Sequence, residues 1–329
     1  MPRELSLAEI FQLGYYWETK ILLTAVSLDL FTILNGQELT ATAAATQLQA
    51  DPERLEVCMN ALVAMRLLTK HGDCFANTGV AQTYLVRSSV EYIGHLLQLH
   101  DAEWAHWGKL EETIKTGRSP VTRHVFATNP ELGVSVLSVL DRIGRHGGPE
   151  LAKRLKLDHA ARLLDLGGGA ATNAIACCRT YPHLKAVVFD LPQTLPTAER
   201  MVTEAGLESR ISVSAGDFNE DAWGGPYDAV LMSDILHYQG EKANAALVAK
   251  AWAQLSEGGR LIIKDRFLDE SGTSPAWATA FAVHILLNTE QGRCYKVSHA
   301  ITWMQDAGFH AVTELEQTAV VEGVKRSER

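Results

Sequence analysis

Three short runs of this chain place acids and glycines where a nucleoside can be held. Leu163-Leu164-Asp165-Leu166-Gly167-Gly168-Gly169-Ala170-Ala171-Thr172 sets a glycine cluster where an apolar strand gives way to a helix. Glycine at such a turn permits positive φ and lets a ligand approach the backbone with no Cβ in the way. Asp190 closes the run Val187-Val188-Phe189-Asp190-Leu191-Pro192, and Asp217 closes Ser214-Ala215-Gly216-Asp217-Phe218. A strand-end carboxylate can accept both hydroxyls of a ribose. An acid beside an aromatic ring suits adenine, whose amine donates and whose face stacks.

The dinucleotide fingerprint G-x-G-x-x-G would need glycine where Thr172 stands, so a nicotinamide-linked oxidoreductase is the weaker alternative. S-adenosylmethionine needs no phosphate cradle. It needs room for its methionine part, an acid for the ribose and a slot for adenine, and the three runs supply them.

A fourth run, Met232-Ser233-Asp234-Ile235-Leu236-His237-Tyr238, stands at the end of another apolar strand. Methyl transfer is an in-line displacement at carbon, so an enzyme must bring the acceptor lone pair up to the sulfonium methyl and remove the acceptor proton. A phenol, with a pKa of about 10, is mostly protonated at neutral pH, whereas a histidine near about 6.5 can take that proton. His237 is therefore the candidate general base.

The elements that must position these runs follow from the pattern. Ala161–Leu166, Ala186–Asp190, Ile211–Ala215, Tyr227–Ser233 and Gly259–Asp265 are apolar stretches of strand length separated by helical segments. Such alternation predicts a doubly wound, mostly parallel sheet covered on both faces. Upstream, Thr40 and Asp51-Pro52 are helix-start signals, and Leu67–Thr69 and Cys74–Asn77 flank the turn His71-Gly72-Asp73. Helix, turn, helix and hairpin form a winged-helix pattern. The breaks Gly117-Arg118-Ser119-Pro120 and Gly147-Gly148-Pro149 suggest three segments: a first domain over 1–100, connecting helices over 101–150 and a ligand-binding domain over 151–329.

Charge bears on what the first domain binds. Residues 1–100 hold six basic side chains (Arg3, Lys20, Arg54, Arg66, Lys70, Arg87) against ten acidic ones, and the chain's net charge is −9. A recognition helix needs the opposite balance, so nucleic acid is not the expected partner. The apolar helices of Ala25–Leu34 and Leu96–Trp107 point instead to dimerisation. No basic leader precedes an unbroken apolar run, no apolar stretch is long enough to span a bilayer, and the five cysteines form no CxxC pair. A cytoplasmic protein with reduced thiols and no membrane partner is expected.

The winged-helix module together with the LDLGGG, FDLP, GDF, DILH and LSEGGRLIIKD runs resembles the class I small-molecule O-methyltransferases of the caffeate and hydroxyindole type, including their bacterial antibiotic and pigment relatives. The likeness spans nearly the whole chain. It implies a Rossmann-like seven-stranded sheet with one antiparallel strand, an N-terminal winged-helix dimerisation domain classed as all-helical, and an intertwined homodimer. Position by position it implies Asp165, Gly167 and Gly169 at the methionine part of S-adenosylmethionine, Asp190 and Leu191 at the ribose, and Asp217 and Phe218 at the adenine. Met232 and Ser233 would line the cleft, and His237 falls on the catalytic histidine.

Two departures stand out. The family's His-Asp-Trp reads His237-Tyr238-Gln239, and its Gly-Lys-Glu-Arg-Thr, whose glutamate assists the histidine, reads Gly292-Arg293-Cys294-Tyr295-Lys296. Asp265, after the fifth strand, can partly take over. Trp104, Trp107, Phe126, Trp277, Phe281 and His284 occupy segments that set acceptor choice in such enzymes, and an aromatic-lined pocket for a small molecule is expected from them. No ligand spacing among His237, Glu241, His284 and His299 calls for a metal. The expected activity is methyl transfer to a hydroxyl of a small aromatic or polyketide-like metabolite, with transfer to carbon or nitrogen, or a regulator without catalysis, as alternatives.

Overall fold

The computed structural model describes residues 4–121 and 129–326, and the chain divides into two compact units, Met1–Ala105 and His106–Arg329. In the first, Thr40 caps the helix Ala41–Leu48 by accepting from the Ala43 amide at 3.2 Å. Asp51 caps Pro52–Ala64 by accepting from the Arg54 amide at 2.9 Å. Leu55, Met59 and Leu62, on one face of the second helix, are buried in the unit's core with Leu30, Phe31 and Phe75. The unit is not all-helical. Strands β1 (Leu39–Thr40), β2 (Leu68–His71) and β3 (Cys74–Asn77) form an antiparallel sheet in the order β1-β3-β2. Leu39 and the cap residue Thr40 are enough for β1, because they are extended and pair with Phe75 and Cys74.

The second unit is a seven-stranded sheet of β4 (Arg162–Leu166), β5 (Lys185–Asp190), β6 (Ile211–Ala215), β7 (Tyr227–Ser233), β8 (Leu255–Lys264), β9 (Phe309–Glu316) and β10 (Val320–Lys325). Its order is β6-β5-β4-β7-β8-β10-β9, and only β10 runs against the rest. Side chains alternate between two cores. Leu163, Val188, Leu231 and Ile262 pack under the helix Thr172–Thr180, while Leu164, Phe189, Val230 and Ile263 pack under Glu241–Gln254 and Val297–Asp306. The chain leaves β4 first toward β5 and later returns to β7 on the other side, so a crevice opens at the carboxyl ends of these strands.

One expected boundary is corrected. Gly147-Gly148-Pro149, read as a break, lies inside the continuous helix Pro130–Leu155. Close packing overrides the residues' low helix propensity: a Cβ on Gly148 would stand 3.1 Å from Ala176 Cβ, and one on Gly144 would stand 3.2 Å from Thr172 Cγ2. Among the described residues no helix is long and apolar enough to cross a membrane.

Candidate active site

The turn after β4 is built for close approach. Gly167 and Gly169 have φ of +67° and +54°, and a Cβ on Gly167 would meet Ile235 Cγ2 at 2.6 Å. Asp190, at the end of β5, ties the turn to the next strand: its Oδ2 accepts from the Gly169 amide at 2.7 Å and its Oδ1 from the Leu191 amide at 2.7 Å. Burial pushes this carboxyl above its usual range, with the two amide donations pulling the other way. Thr194 also hydrogen-bonds this carboxylate, which still keeps acceptor capacity for a ligand hydroxyl.

Asp217 is exposed after β6, accepting from the Asn219 amide at 2.8 Å, and Phe218 beside it is half-buried. Just before them Gly216 lets the chain pass over the Phe189 ring, since a Cβ there would stand 2.4 Å from Phe189 Cζ. Ser233 is half-buried at the end of β7 and donates to Asp234 Oδ2 at 2.9 Å.

Two expected contact residues lie beneath the crevice instead. Asp165 has no exposed surface. Its Oδ2 accepts from the Ala174 amide at 3.0 Å, its Oδ1 has no partner among the described residues, and Gly168 sits directly over it. Burial pushes its carboxyl up to about 7. Met232 is likewise fully buried, its side chain in the core under β7. Both occupy central strands covered on two faces, where alternation along the strand always sends a side chain inward.

The chain turns sharply after β7 through Asp234 in the left-handed region (φ +58°) into the single turn Leu236–Tyr238. There His237, 3% exposed, points its Nδ1 at Asp265 Oδ1, 2.6 Å away. Asp265 follows β8, so the pairing of neighbouring strands brings together residues far apart in sequence. Its Oδ2 accepts from the Leu236 amide at 3.0 Å and its Oδ1 also from the Arg266 amide at 2.7 Å. A carboxylate only accepts, so the imidazole hydrogen lies on Nδ1 and Nε2 keeps a lone pair. Asn244 braces the turn through the Leu236 carbonyl at 2.9 Å. Cys294 sits near Asp265, and burial first, then that acid, pushes its thiol up to about 12. It stays neutral, so Asp265 is the acid that reaches the histidine.

Among the expected pocket aromatics, Trp277, Phe281 and His284 gather on the helix Ala276–Asn288. Phe281 meets the His237 ring edge-on at 5.1 Å and stacks on Trp277 at 5.0 Å and on His284 at 5.6 Å. Trp104 belongs to the first unit, where it packs against Tyr16 and Lys20. Trp107 is 41% exposed, and Phe126 lies outside the described residues. One group went unforeseen. Asp141, 4% exposed, accepts from Thr172 Oγ1 at 2.6 Å and pairs with Arg145 at 2.6 Å. It ties the first residue of the helix after the glycine turn to the covering helix. The only sequence signal is the i,i+4 Asp–Arg pair.

The crevice thus joins a glycine turn, two strand-end acids and an acid-backed histidine. An O-methyltransferase domain family matches residues 116–310, and the accompanying O-methyltransferase dimerisation domain matches residues 11–87. The chain belongs to the O-methyltransferases. This methyltransferase is 30% identical over 311 residues to the tetracenomycin polyketide synthesis 8-O-methyl transferase TcmO of Streptomyces glaucescens, covering 93% of this chain and 91% of that protein. It is 30% identical over 325 residues to the 3-hydroxy-5-methyl-1-naphthoate 3-O-methyltransferase of Streptomyces sahachiroi, covering 94% and 92%. The crystal structure of human N-acetylserotonin methyltransferase in complex with SAM superposes with a TM-score of 0.83 at 22% identity, covering 99% of this chain and all of that one. The methyltransferase is S-adenosylmethionine-dependent, as its family is.

Proposed function

We propose that the methyltransferase acts on a phenolic hydroxyl of a small aromatic or polyketide-like acceptor, with His237 as general base. The observation that carries this reading is the buried His237–Asp265 pair, 2.6 Å apart, with the histidine ring edge against Phe281. Bound S-adenosylmethionine supplies an electrophilic methyl group on sulfur. The chain's own residues do the rest. Gly167 and Gly169 leave room for the donor's amino-acid end, Asp190 receives the ribose hydroxyls, and Asp217 with Phe218 receives the adenine. The residues fit such a ligand because Asp190, fixed by two amides beside the positive-φ glycine turn, keeps acceptor capacity.

His237 takes the acceptor proton on Nε2 while Asp265 stabilises the imidazolium that forms. Transfer to a neutral amine, whose lone pair is already free, would not call for so firmly oriented a base. Phe11, Leu13, Tyr15, Tyr16 and Trp17 in the dimerisation domain, and Leu7 just before it, are each more than half exposed, an apolar surface suited to a second copy of the chain.

The test is methyl transfer from labelled S-adenosylmethionine to hydroxylated naphthalenes and anthraquinones, with His237→Ala in parallel. Turnover on oxygen that falls on the order of a hundredfold in the variant, at unchanged S-adenosylhomocysteine affinity, is the expected result. Methylation at carbon or nitrogen, or turnover indifferent to the substitution, would end the reading.

A further inference from the structure

Arg266 is the residue after Asp265, and its backbone amide donates to the same Oδ1 that holds His237. Its guanidinium lies 4.7 Å from the centre of the Trp277 ring, and Trp277 stacks on Phe281 with an interplanar angle of 15°. Phe281 in turn abuts His237. A strip of two stacked rings therefore runs from the buried imidazole at one end to a side chain 45% exposed at the other. The imidazole and the Arg266 backbone share one carboxylate, and from there Asp234 and the Trp277 ring place the guanidinium.

The guanidinium is held but not used up. Its Nε faces Asp234 Oδ1 at 3.0 Å, and the other oxygen of Asp234 is taken by Lys264 and by Ser233 Oγ. Among the described residues no hydrogen bond reaches its two terminal nitrogens. Those nitrogens form the flat donor fork that matches a carboxylate in two parallel hydrogen bonds. Stacking on Trp277 and the contact at Nε limit the rotamers open to the side chain, so little ordering entropy is left to lose on binding.

We infer that Arg266 selects acceptors carrying a carboxylate on the aromatic system, the ring lying along Trp277 and Phe281 with its hydroxyl at His237. This rests on the reading of His237 as the base of the acceptor site. It narrows the substrate class to hydroxylated aromatic acids, which the glycine turn and the histidine alone do not specify.

Calorimetry on the enzyme saturated with S-adenosylhomocysteine tests it, with 6-hydroxy-2-naphthoate, whose hydroxyl and carboxylate stand at opposite ends of the ring system, and its methyl ester as probes against wild type, Arg266→Gln and Arg266→Lys. The acid is expected to bind wild type at least about tenfold more tightly than the ester. Arg266→Gln should erase that preference by weakening the acid alone. Arg266→Lys, which keeps the charge without the fork, should restore part of it. Affinity for S-adenosylhomocysteine reports that each variant is folded. Equal affinity for acid and ester, a preference that survives Arg266→Gln, or no binding of the acid overturns the inference. Methylation of the ester by wild type as efficiently as the acid would also overturn it and leave the base assignment standing, whereas a His237→Ala variant with full turnover would strike that assignment instead.

Discussion

Replacing Asp265 with asparagine changes one atom and separates orientation of the base from every other property of the site. Asp265 Oδ1 serves two donors, His237 Nδ1 and the Arg266 amide, while Oδ2 serves the Leu236 amide. An asparagine can keep its oxygen toward the histidine, and its NH2 then faces the Leu236 N–H as donor against donor. Turned the other way, the NH2 faces the imidazole, moves the hydrogen to Nε2 and removes the lone pair that takes the proton. Either way the carboxylate charge opposite the imidazolium is lost. A hydrogen bond to a charged group contributes about 1.5–3 kcal/mol, which at about 1.4 kcal/mol per decade corresponds to a fall in kcat of about ten- to a hundredfold or somewhat more. Because Asp190 and the glycine turn are untouched, the dissociation constant of S-adenosylhomocysteine should stay within about threefold of wild type. The assay is single-turnover methyl transfer with the donor saturating, alongside calorimetry for the donor product. A variant that turns over within about threefold of wild type, or one whose defect lies in donor binding, would refute the assignment of Asp265 to the base.

Three further outcomes are expected. Asp190→Asn removes the charge proposed to meet the ribose while keeping one amide acceptor, so affinity for S-adenosylhomocysteine should fall about tenfold or more by calorimetry, with acceptor KM little changed. Asp165, with its carboxyl raised to about 7, keeps its proton in the folded chain between about pH 4 and pH 7 while the unfolded chain has lost it. Folding stability should therefore fall as pH rises through that window, by at most about 1.4 kcal/mol per unit, and level off above it. Asp165→Asn should flatten this slope in urea titrations, and an unchanged slope would show that the buried acid is ionised throughout. Phe11→Glu with Leu13→Glu should yield monomers in sedimentation velocity, and an unaltered oligomer would place the contact elsewhere.

The parallel sheet was legible because strand-length stretches rich in apolar residues alternate with helical segments. Ile211–Ala215 and Tyr227–Ser233 coincide with the observed strands for that reason. The helix Pro130–Leu155 was not legible, since Gly144 and Gly148 serve contacts with Thr172 and Ala176, partners that local propensity does not contain. The same distinction holds in the site. Glycines at positive φ and acids at strand ends announce themselves, and His237 stands where a fourth strand stops. That Asp165 and Met232 face inward depends on the pleat of a doubly covered strand, and motif spacing is silent on it. Asp141 was missed because a helical acid with a basic neighbour one turn on looks like a solvated pair. Only the packed Thr172 gives it a role.

The near-complete enclosure of the imidazole has a kinetic corollary. With 3% of His237 in contact with solvent, a hydrogen ion captured in the proposed reaction has little direct access to bulk water while the methylated product stays against the ring. Product escape must come first, and regeneration of the neutral ring second. A fresh phenol that arrives before the ring has discharged meets an enzyme unable to activate it, so discharge to solvent becomes a step of the cycle in its own right.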